Sequence, residues 1–190
     1  MSKLRSLAAC ATLTLLIPTV AAAQFPIQTV ELAGAYYAFA GDDLDGLEAA
    51  PRVQASLYGA TRLSLVGLTG TWGRGGIEGF DESYEEFGLG LTLRRSFGSP
   101  GSLGAFLGVH LGWTRLSVEL DPGIEENGFT MGLSGGPELD VGGVRIFLGG
   151  EVLWQTMGDI RLIEGAPIGT GGDQGWRLGG KLGVLLGRIS

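Results

Sequence analysis

The run Val144 to Thr156, V-R-I-F-L-G-G-E-V-L-W-Q-T, constrains the fold more tightly than any other part of the chain. One parity carries Val144, Ile146, Leu148, Gly150, Val152 and Trp154, and the other carries Arg145, Phe147, Gly149, Glu151, Leu153 and Gln155. Side chains on a strand alternate between two faces. One face of this strand is therefore wholly apolar and ends in a Trp, while the other mixes charges and an amide with Gly, Phe and Leu. A soluble sandwich would bury the apolar face and wet the other. A polar face crowded with Phe, Leu and Gly fits the lining of a narrow barrel, with the apolar side turned to lipid.

Residues 1–23 read as an export signal and not as part of the fold. Lys3 and Arg5 form a positive n-region, Leu7 to Val20 an apolar h-region, and Ala21-Ala22-Ala23 an A-x-A cleavage site ahead of Gln24. A spanning helix needs ~20 apolar residues, and this run is shorter and interrupted by Pro18. Leu7-Ala8-Ala9-Cys10 has the form of a lipobox but lacks the apolar segment that should precede it. The expected mature chain is 24–190, a single domain. It retains 11 basic residues against 20 acidic ones, a net −9, and loses the single Cys, so no disulfide or thiolate chemistry is expected. An acidic exported chain also argues against nucleic acid as a partner, because phosphates would be repelled. All 36 Gly lie in the mature part, far above the usual ~7%. They recur inside apolar stretches instead of clustering as a linker, so they read as strand positions.

The mature chain divides into eight alternating segments: about Ile27–Ala40, Arg52–Ala60, Leu63–Trp72, Tyr84–Arg95, Leu103 to about Leu120, Phe129–Asp140, Val144–Thr156 and Gln174–Gly187. The fourth is nearly as regular as the seventh, with Phe87, Leu89, Leu91 and Leu93 against Glu86, Gly88, Gly90, Thr92 and Arg94. Pro137 removes a ladder donor and is expected near a strand end or at a bulge. Thr61-Arg62, Ser96–Ser102 and Val141-Gly142-Gly143 are the short turns. The connections Gly41–Pro51, Gly73–Ser83, Asp121–Gly128 and Met157–Asp173 are longer. No stretch shows the 3.6-residue period of an amphipathic helix.

Connections after odd segments are long and those after even ones short, the alternation of short periplasmic turns and longer outer loops. Trp72, Trp113, Trp154 and Trp176 fall at or toward the long-loop ends of their strands, where an interfacial aromatic girdle is expected. Tyr58 and Phe97 are the candidates for a thinner girdle at the other end.

On these segments, parities and Trp positions, the mature chain resembles the small eight-stranded outer-membrane β-barrel family, which includes OmpX-like proteins and the membrane domain of OmpA-like proteins. The resemblance covers nearly all of 24–190 and rests on pattern. It implies an all-β, eight-stranded antiparallel up-and-down transmembrane barrel in a Gram-negative outer membrane, with outer-membrane lipid and the barrel assembly machinery as partners. Such proteins commonly end in an aromatic residue read by that machinery, whereas this chain ends Leu186-Gly187-Arg188-Ile189-Ser190.

Motifs that could carry chemistry lack their required context. Gly132-Leu133-Ser134-Gly135-Gly136 satisfies G-x-S-x-G, but a nucleophile elbow needs a strand-to-helix turn and no helical pattern follows. Gly175 to Leu182 approaches a P-loop, but Leu182 stands where Ser or Thr should reach the metal. Lys181 therefore reads as a lumen cation. His110 is the only histidine, so a two-histidine metal site cannot form. It is expected to be a lumen hydrogen-bonding partner near Glu138 or Asp140. Asp42-Asp43-Leu44-Asp45-Gly46 fails as a calcium loop because Gly41 and Arg52 would occupy positions that need carboxylates. Weak divalent-cation binding by acidic loops is the most it implies, and no cofactor is expected.

What remains is an inward set of polar groups: Glu31, Arg52, Glu86, Arg94, His110, Glu138, Asp140, Arg145, Glu151, Arg177 and Lys181. Eight strands enclose only enough space for side chains, and an unpaired buried ion is strongly unfavourable. The charges are expected to pair across the lumen and leave no open channel. The first functional expectation is a non-enzymatic barrel acting structurally or through its outer loops, in surface contact, adhesion or envelope integrity. An outer-membrane lipid-modifying enzyme is the second. A secreted lipocalin-like barrel is the third, and it would place Leu89, Leu91, Ile146 and Leu148 inside.

Overall fold

The computed structural model describes residues 27–40, 46–61, 64–99, 101–118, 124–157, 161–162, 166–167 and 174–187. The export signal with Cys10, and the acidic run 41–45, fall outside them. The strands in chain order are β1 (Thr29–Ala40), β2 (Ala50–Ala60), β3 (Leu65–Gly76), β4 (Ser83–Phe97), β5 (Leu103–Val118), β6 (Ile124–Val141), β7 (Val144–Met157), β8 (Arg161–Leu162), β9 (Ala166–Pro167) and β10 (Gln174–Gly187). Eight of them, all but β8 and β9, form one closed antiparallel barrel. Each pairs with its neighbours along the chain, and β1 closes on β10 from Thr29↔Gly187 to Ala40↔Trp176. Closure satisfies both edges of every barrel strand. The β8–β9 pair is a small separate hairpin within the β7–β10 connection, a stretch that the sequence marks only as loop.

Several strands run farther than their alternation does. β3 continues to Gly76 instead of stopping at Trp72, and β6 starts at Ile124 instead of Phe129. The apolar parity stops at the end of the apolar belt, but the backbone ladder continues past it. The connections at one end, here the loop rim, are 41–49, 77–82, 119–123 and 158–173; those at the opposite turn rim are 61–64, 98–102 and 142–143. Because β3 and β6 extend toward the loop rim, 119–123 is no longer than 98–102 and 77–82 is longer by a single residue.

The turns follow their residues. Gly142 (φ 64°) and Gly143 (φ 94°) both occupy left-handed backbone between the paired Val141 and Val144. A two-residue hairpin turn of this hand requires that, and glycine supplies it without steric cost. At the β2–β3 corner the turn spans Thr61 to Ser64, wider than the expected Thr61-Arg62: Thr61 N donates to Ser64 O at 2.8 Å, and Ser64 N to Thr61 Oγ1 at 3.0 Å. Pro137 stands within β6. The β6–β7 ladder keeps one register from Gly135↔Gly150 to Glu138↔Phe147 and skips Gly136 and Pro137. The missing N–H thus removes a rung without a bulge.

The wall is apolar outside. Leu148 is 59% exposed and Leu182 58%, and Leu89, Leu91 and Ile146 also face out. This overturns the lipocalin-like alternative, which needs those residues inside. The interior is layered. Tyr58, Leu65 and Leu185 pack at the turn rim, Ala33, Phe106 and Phe147 lie farther in, and Leu47, Ala50, Ile77, Tyr84, Leu116 and Val118 form a cluster at the loop rim.

Candidate functional site

The functional candidate is the lumen. Toward the turn rim, Arg94 on β4 is 2% exposed and lies between two carboxylates, 3.1 Å from Glu31 and 2.8 Å from Glu138. Lys181 on β10 closes on Glu31 at 2.7 Å, and Arg145 on β7 reaches Glu138 at 3.2 Å and Asp140 at 3.1 Å. Three acids and three bases form a chain running across β10, β1, β4, β6 and β7. Phe106 and Phe147 press on the Arg94 guanidinium with ring centroids 4.0 and 4.4 Å from Cζ, a cation–π arrangement.

Toward the loop rim a second group centres on Glu86. Arg177 donates to its Oε2, Thr114 donates to Oε1 at 2.7 Å, and Arg52 lies 3.6 Å away while donating to Thr71 Oγ1 at 2.5 Å. Glu151 accepts from the Tyr37 hydroxyl. Between the two groups runs a belt of hydroxyls: Ser56 and Thr69 at 2.9 Å, Thr69 and Thr92 at 2.7 Å, and Thr92 and His110 Nδ1 at 3.2 Å. The inward acids Glu31, Glu86, Glu138, Asp140 and Glu151 equal in number the inward bases Arg52, Arg94, Arg145, Arg177 and Lys181. The lumen is therefore formally neutral.

Two expectations are corrected. His110 pairs with Gly132 across β6 and with Thr92 across β4, whereas Glu138 stands opposite Gly104, nearer the turn rim, and Asp140 lies farther along β6 opposite Arg145. The error traces to the β5–β6 connection: with β6 starting at Ile124, the hairpin register differs from one built on a loop ending at Gly128. Tyr58 is no girdle residue. It is fully buried, and its hydroxyl donates to Glu31 Oε2 at 3.2 Å. Its parity with Arg52, Gln54 and Ser56 already pointed inward. Phe97 does face out at the turn rim, with Arg95 Cζ 5.2 Å from its ring centroid. Trp72, Trp113 and Trp176 face out near the loop rim, and Trp154, half-buried, stands in register with Trp176. Phe87 joins them, edge-to-face with Trp113 at 6.4 Å.

The closure at the loop rim has no counterpart in the sequence pattern. Leu47 bridges to Ile77, Glu48 N donates to Gly76 O at 3.0 Å, Glu78 N donates to Gly46 O at 2.9 Å, and the Tyr84 hydroxyl donates to Glu48 O at 3.1 Å. Leu47 and Ile77 are buried, so this strap roofs the lumen with apolar side chains. Ser134 lies mid-strand on β6 opposite Gly108 and Glu151, and Lys181 lies mid-strand on β10, so neither motif stands on a strand-to-helix turn.

Gln155 is fully buried, and neither end of its amide meets a hydrogen-bond partner among the described residues. An unsatisfied buried polar group costs about 1–3 kcal/mol, so Gln155→Met is expected to raise the unfolding free energy by about that amount. Urea unfolding from lipid vesicles checks this, and an unchanged or lower midpoint counts against it.

Outside the lumen the charges segregate by rim. Fifteen acids (Asp42, Asp43, Asp45, Glu48, Glu78, Asp81, Glu82, Glu85, Glu119, Asp121, Glu125, Glu126, Asp159, Glu164 and Asp173) fall in loop-rim connections or adjoining strand ends, with Arg74, Arg115 and Arg161 among them. The turn-rim stretches carry Arg62, Arg95 and Arg188 and no acid beyond the lumen set.

No family model matches the sequence, and no curated protein matches it. Solved structures do. The crystal structure of Neisserial surface protein A matches at a TM-score of 0.60 and 14% identity, covering 87% of this chain and 100% of that one. The two share the eight-stranded barrel fold. The N-terminal β-barrel domain of Pseudomonas aeruginosa OprF matches at a TM-score of 0.49 and 13% identity, over 84% of this chain and 98% of that one.

Proposed function

We propose that this protein is an exported, non-catalytic barrel of the bacterial outer membrane, acting structurally or through the connections at its loop rim. The observation that carries the reading is the inverted distribution of polarity: large apolar side chains cover the outside of a closed barrel whose interior holds the ion pairs and hydroxyls. An apolar surface running round a whole protein needs a lipid solvent. The fold shared with a protein described as a surface protein supports the same assignment. Its partners are outer-membrane lipid and the assembly machinery that inserts such barrels. The filled lumen and its apolar roof support a role without solute conduction.

Membrane fractionation and heat-modifiable gel migration test location and fold together. Recovery in the outer membrane as a form that shifts on boiling is expected; recovery in the soluble periplasmic fraction would sink the reading. An unchanged lipid A mass spectrum on expression is expected of a non-catalytic barrel. Glu151→Ala is expected to lower stability by about 2 kcal/mol, from the lost charge-assisted hydrogen bond to Tyr37, with no single-channel conductance in either the variant or the native protein.

A further inference from the structure

Between the tryptophan girdle and the turn rim, the outward face of the barrel wall carries one charged side chain among the described residues, Arg95 on β4. Phe87, Leu89, Leu91, Leu93, Arg95 and Phe97 share that face, and Phe87 stands in the girdle against Trp113. At ~3.3 Å per residue and a tilt of ~40°, the stretch from Phe87 to Phe97 spans about 25 Å along the membrane normal. The outward apolar band of such barrels is about 25 Å tall. Phe97 therefore falls at its far boundary, and Arg95 one pleat inside it.

The Arg95 side chain is exposed, and its Cζ lies 5.2 Å from the Phe97 ring centroid. Its guanidinium is thus drawn toward the rim, the direction in which a long cationic side chain reaches headgroup depth. Its other outward neighbours are apolar. Leu107 is its partner across β5, and the paired Leu93 and Val109 lie on the mid-belt side.

Among the described residues its one partner is the Phe97 ring. The acids at this end of the barrel, Glu31, Glu138 and Asp140, belong to the lumen and are held there by Arg94, Arg145 and Lys181. The turn-rim connections 61–64, 98–102 and 142–143 hold no acid. A cation at the edge of hydrocarbon, with no counter-charge from its own chain, needs one from its surroundings. A phospholipid supplies it in matching geometry. Its phosphodiester sits at headgroup depth, where a guanidinium can bind it through two parallel N–H bonds, and its acyl chains run down over Leu93, Leu107 and Val109. A free phosphate offers the first half of that match and nothing for the apolar side chains.

We propose that Arg95 and Phe97 form a binding site for the phosphodiester of a phospholipid in the leaflet at the turn rim. The Phe97 ring takes the guanidinium's face and leaves its N–H edge for the phosphate oxygens. The site rests on the membrane reading above and adds to it a partner molecule and the residue that holds it.

The test uses the full chain with 13C-labelled arginine, folded into phosphatidylglycerol vesicles in phosphate-free buffer and measured by 13C–31P dipolar recoupling. Vesicle flotation and heat-modifiable migration establish insertion and folding for each variant. An arginine Cζ signal dephased by phosphorus is expected, lost in Arg95→Gln, with the Arg94 Cζ signal undephased. In a maltoside detergent with inorganic phosphate, the Arg95 signal should stay undephased. A barrel that inserts without dephasing at Arg95 overturns the site and leaves the membrane reading standing, whereas a barrel that does not insert overturns both. Dephasing by inorganic phosphate alone would make free phosphate the ligand and overturn the lipid assignment. Native mass spectrometry of barrel released from the vesicles gives a second readout. Arg95→Gln is expected to retain one phospholipid fewer than the native protein, and equal retention would also overturn the site.

Discussion

Replacing Arg94 with Met is expected to lower the unfolding free energy by about 3–5 kcal/mol, because removing one partner of a buried ion pair leaves an uncompensated charge in a place water cannot reach. Arg94 is the link on which the chain of ions at the turn rim depends. Among the described residues it alone joins Glu31 to Glu138, and the Phe106 and Phe147 rings hold its guanidinium in place. Without it, Lys181 must neutralise Glu31 and Arg145 must serve both Glu138 and Asp140. Acid would then exceed base by one charge. The midpoint of urea unfolding from lipid vesicles, followed by tryptophan fluorescence, measures the effect. Pairing Arg94→Met with Glu138→Gln restores formal neutrality and should recover part of the loss. A single variant within about 1 kcal/mol of the native protein, the worth of an exposed pair, would mean that the ions are solvated and the lumen is not sealed.

Leu182→Arg probes the other side of the wall. Leu182 lies mid-strand on β10, faces out, and is in register with Leu148 on β7 and Gly34 on β1. An arginine on the lipid face at the bilayer midplane costs about 2–4 kcal/mol, whereas the same change on a surface facing water stays within about 0.5 kcal/mol. A loss in the higher range from vesicle-embedded barrel is expected. A value in the lower range would place water against this wall and remove the membrane reading, whatever became of the lumen ions. The two substitutions separate the claims, since Arg94 tests what fills the barrel and Leu182 tests what surrounds it.

The period of two made most of the architecture legible before any coordinates. Val144–Thr156 alone placed Arg145 and Glu151 on one face and Leu148 and Trp154 on the other, and eight such runs with alternating connections yielded the barrel. Register across long connections was not legible, because alternation says which face a residue takes and nothing about its height. A register carried evenly across the β5–β6 connection therefore puts His110 near Glu138 or Asp140, whereas it meets Thr92 and Gly132. Strand ends past the apolar belt were missed for a related reason. Residues such as Arg74, Gly75 and Gly76 pair in the ladder without an apolar parity to reveal it. The strap was hidden because Leu47 lies in an acidic connection, and nothing in the pattern joins it to Ile77. Tyr58 and Tyr37 could have been found, since each shares the inward parity of its strand.

The separation of charge between the two rims bears on how such a barrel reaches its place. On the proposed reading, with the loop rim outermost, the end that crosses the hydrocarbon during insertion is the one whose chain carries fifteen carboxylates against three arginines, while the opposite end carries three arginines alone. Each ion drawn through the bilayer centre costs several kcal/mol, so unassisted passage is slow and retreat is equally slow. On that reading the asymmetry acts as a ratchet: it opposes unassisted entry and, once the barrel is in place, opposes reversal just as strongly.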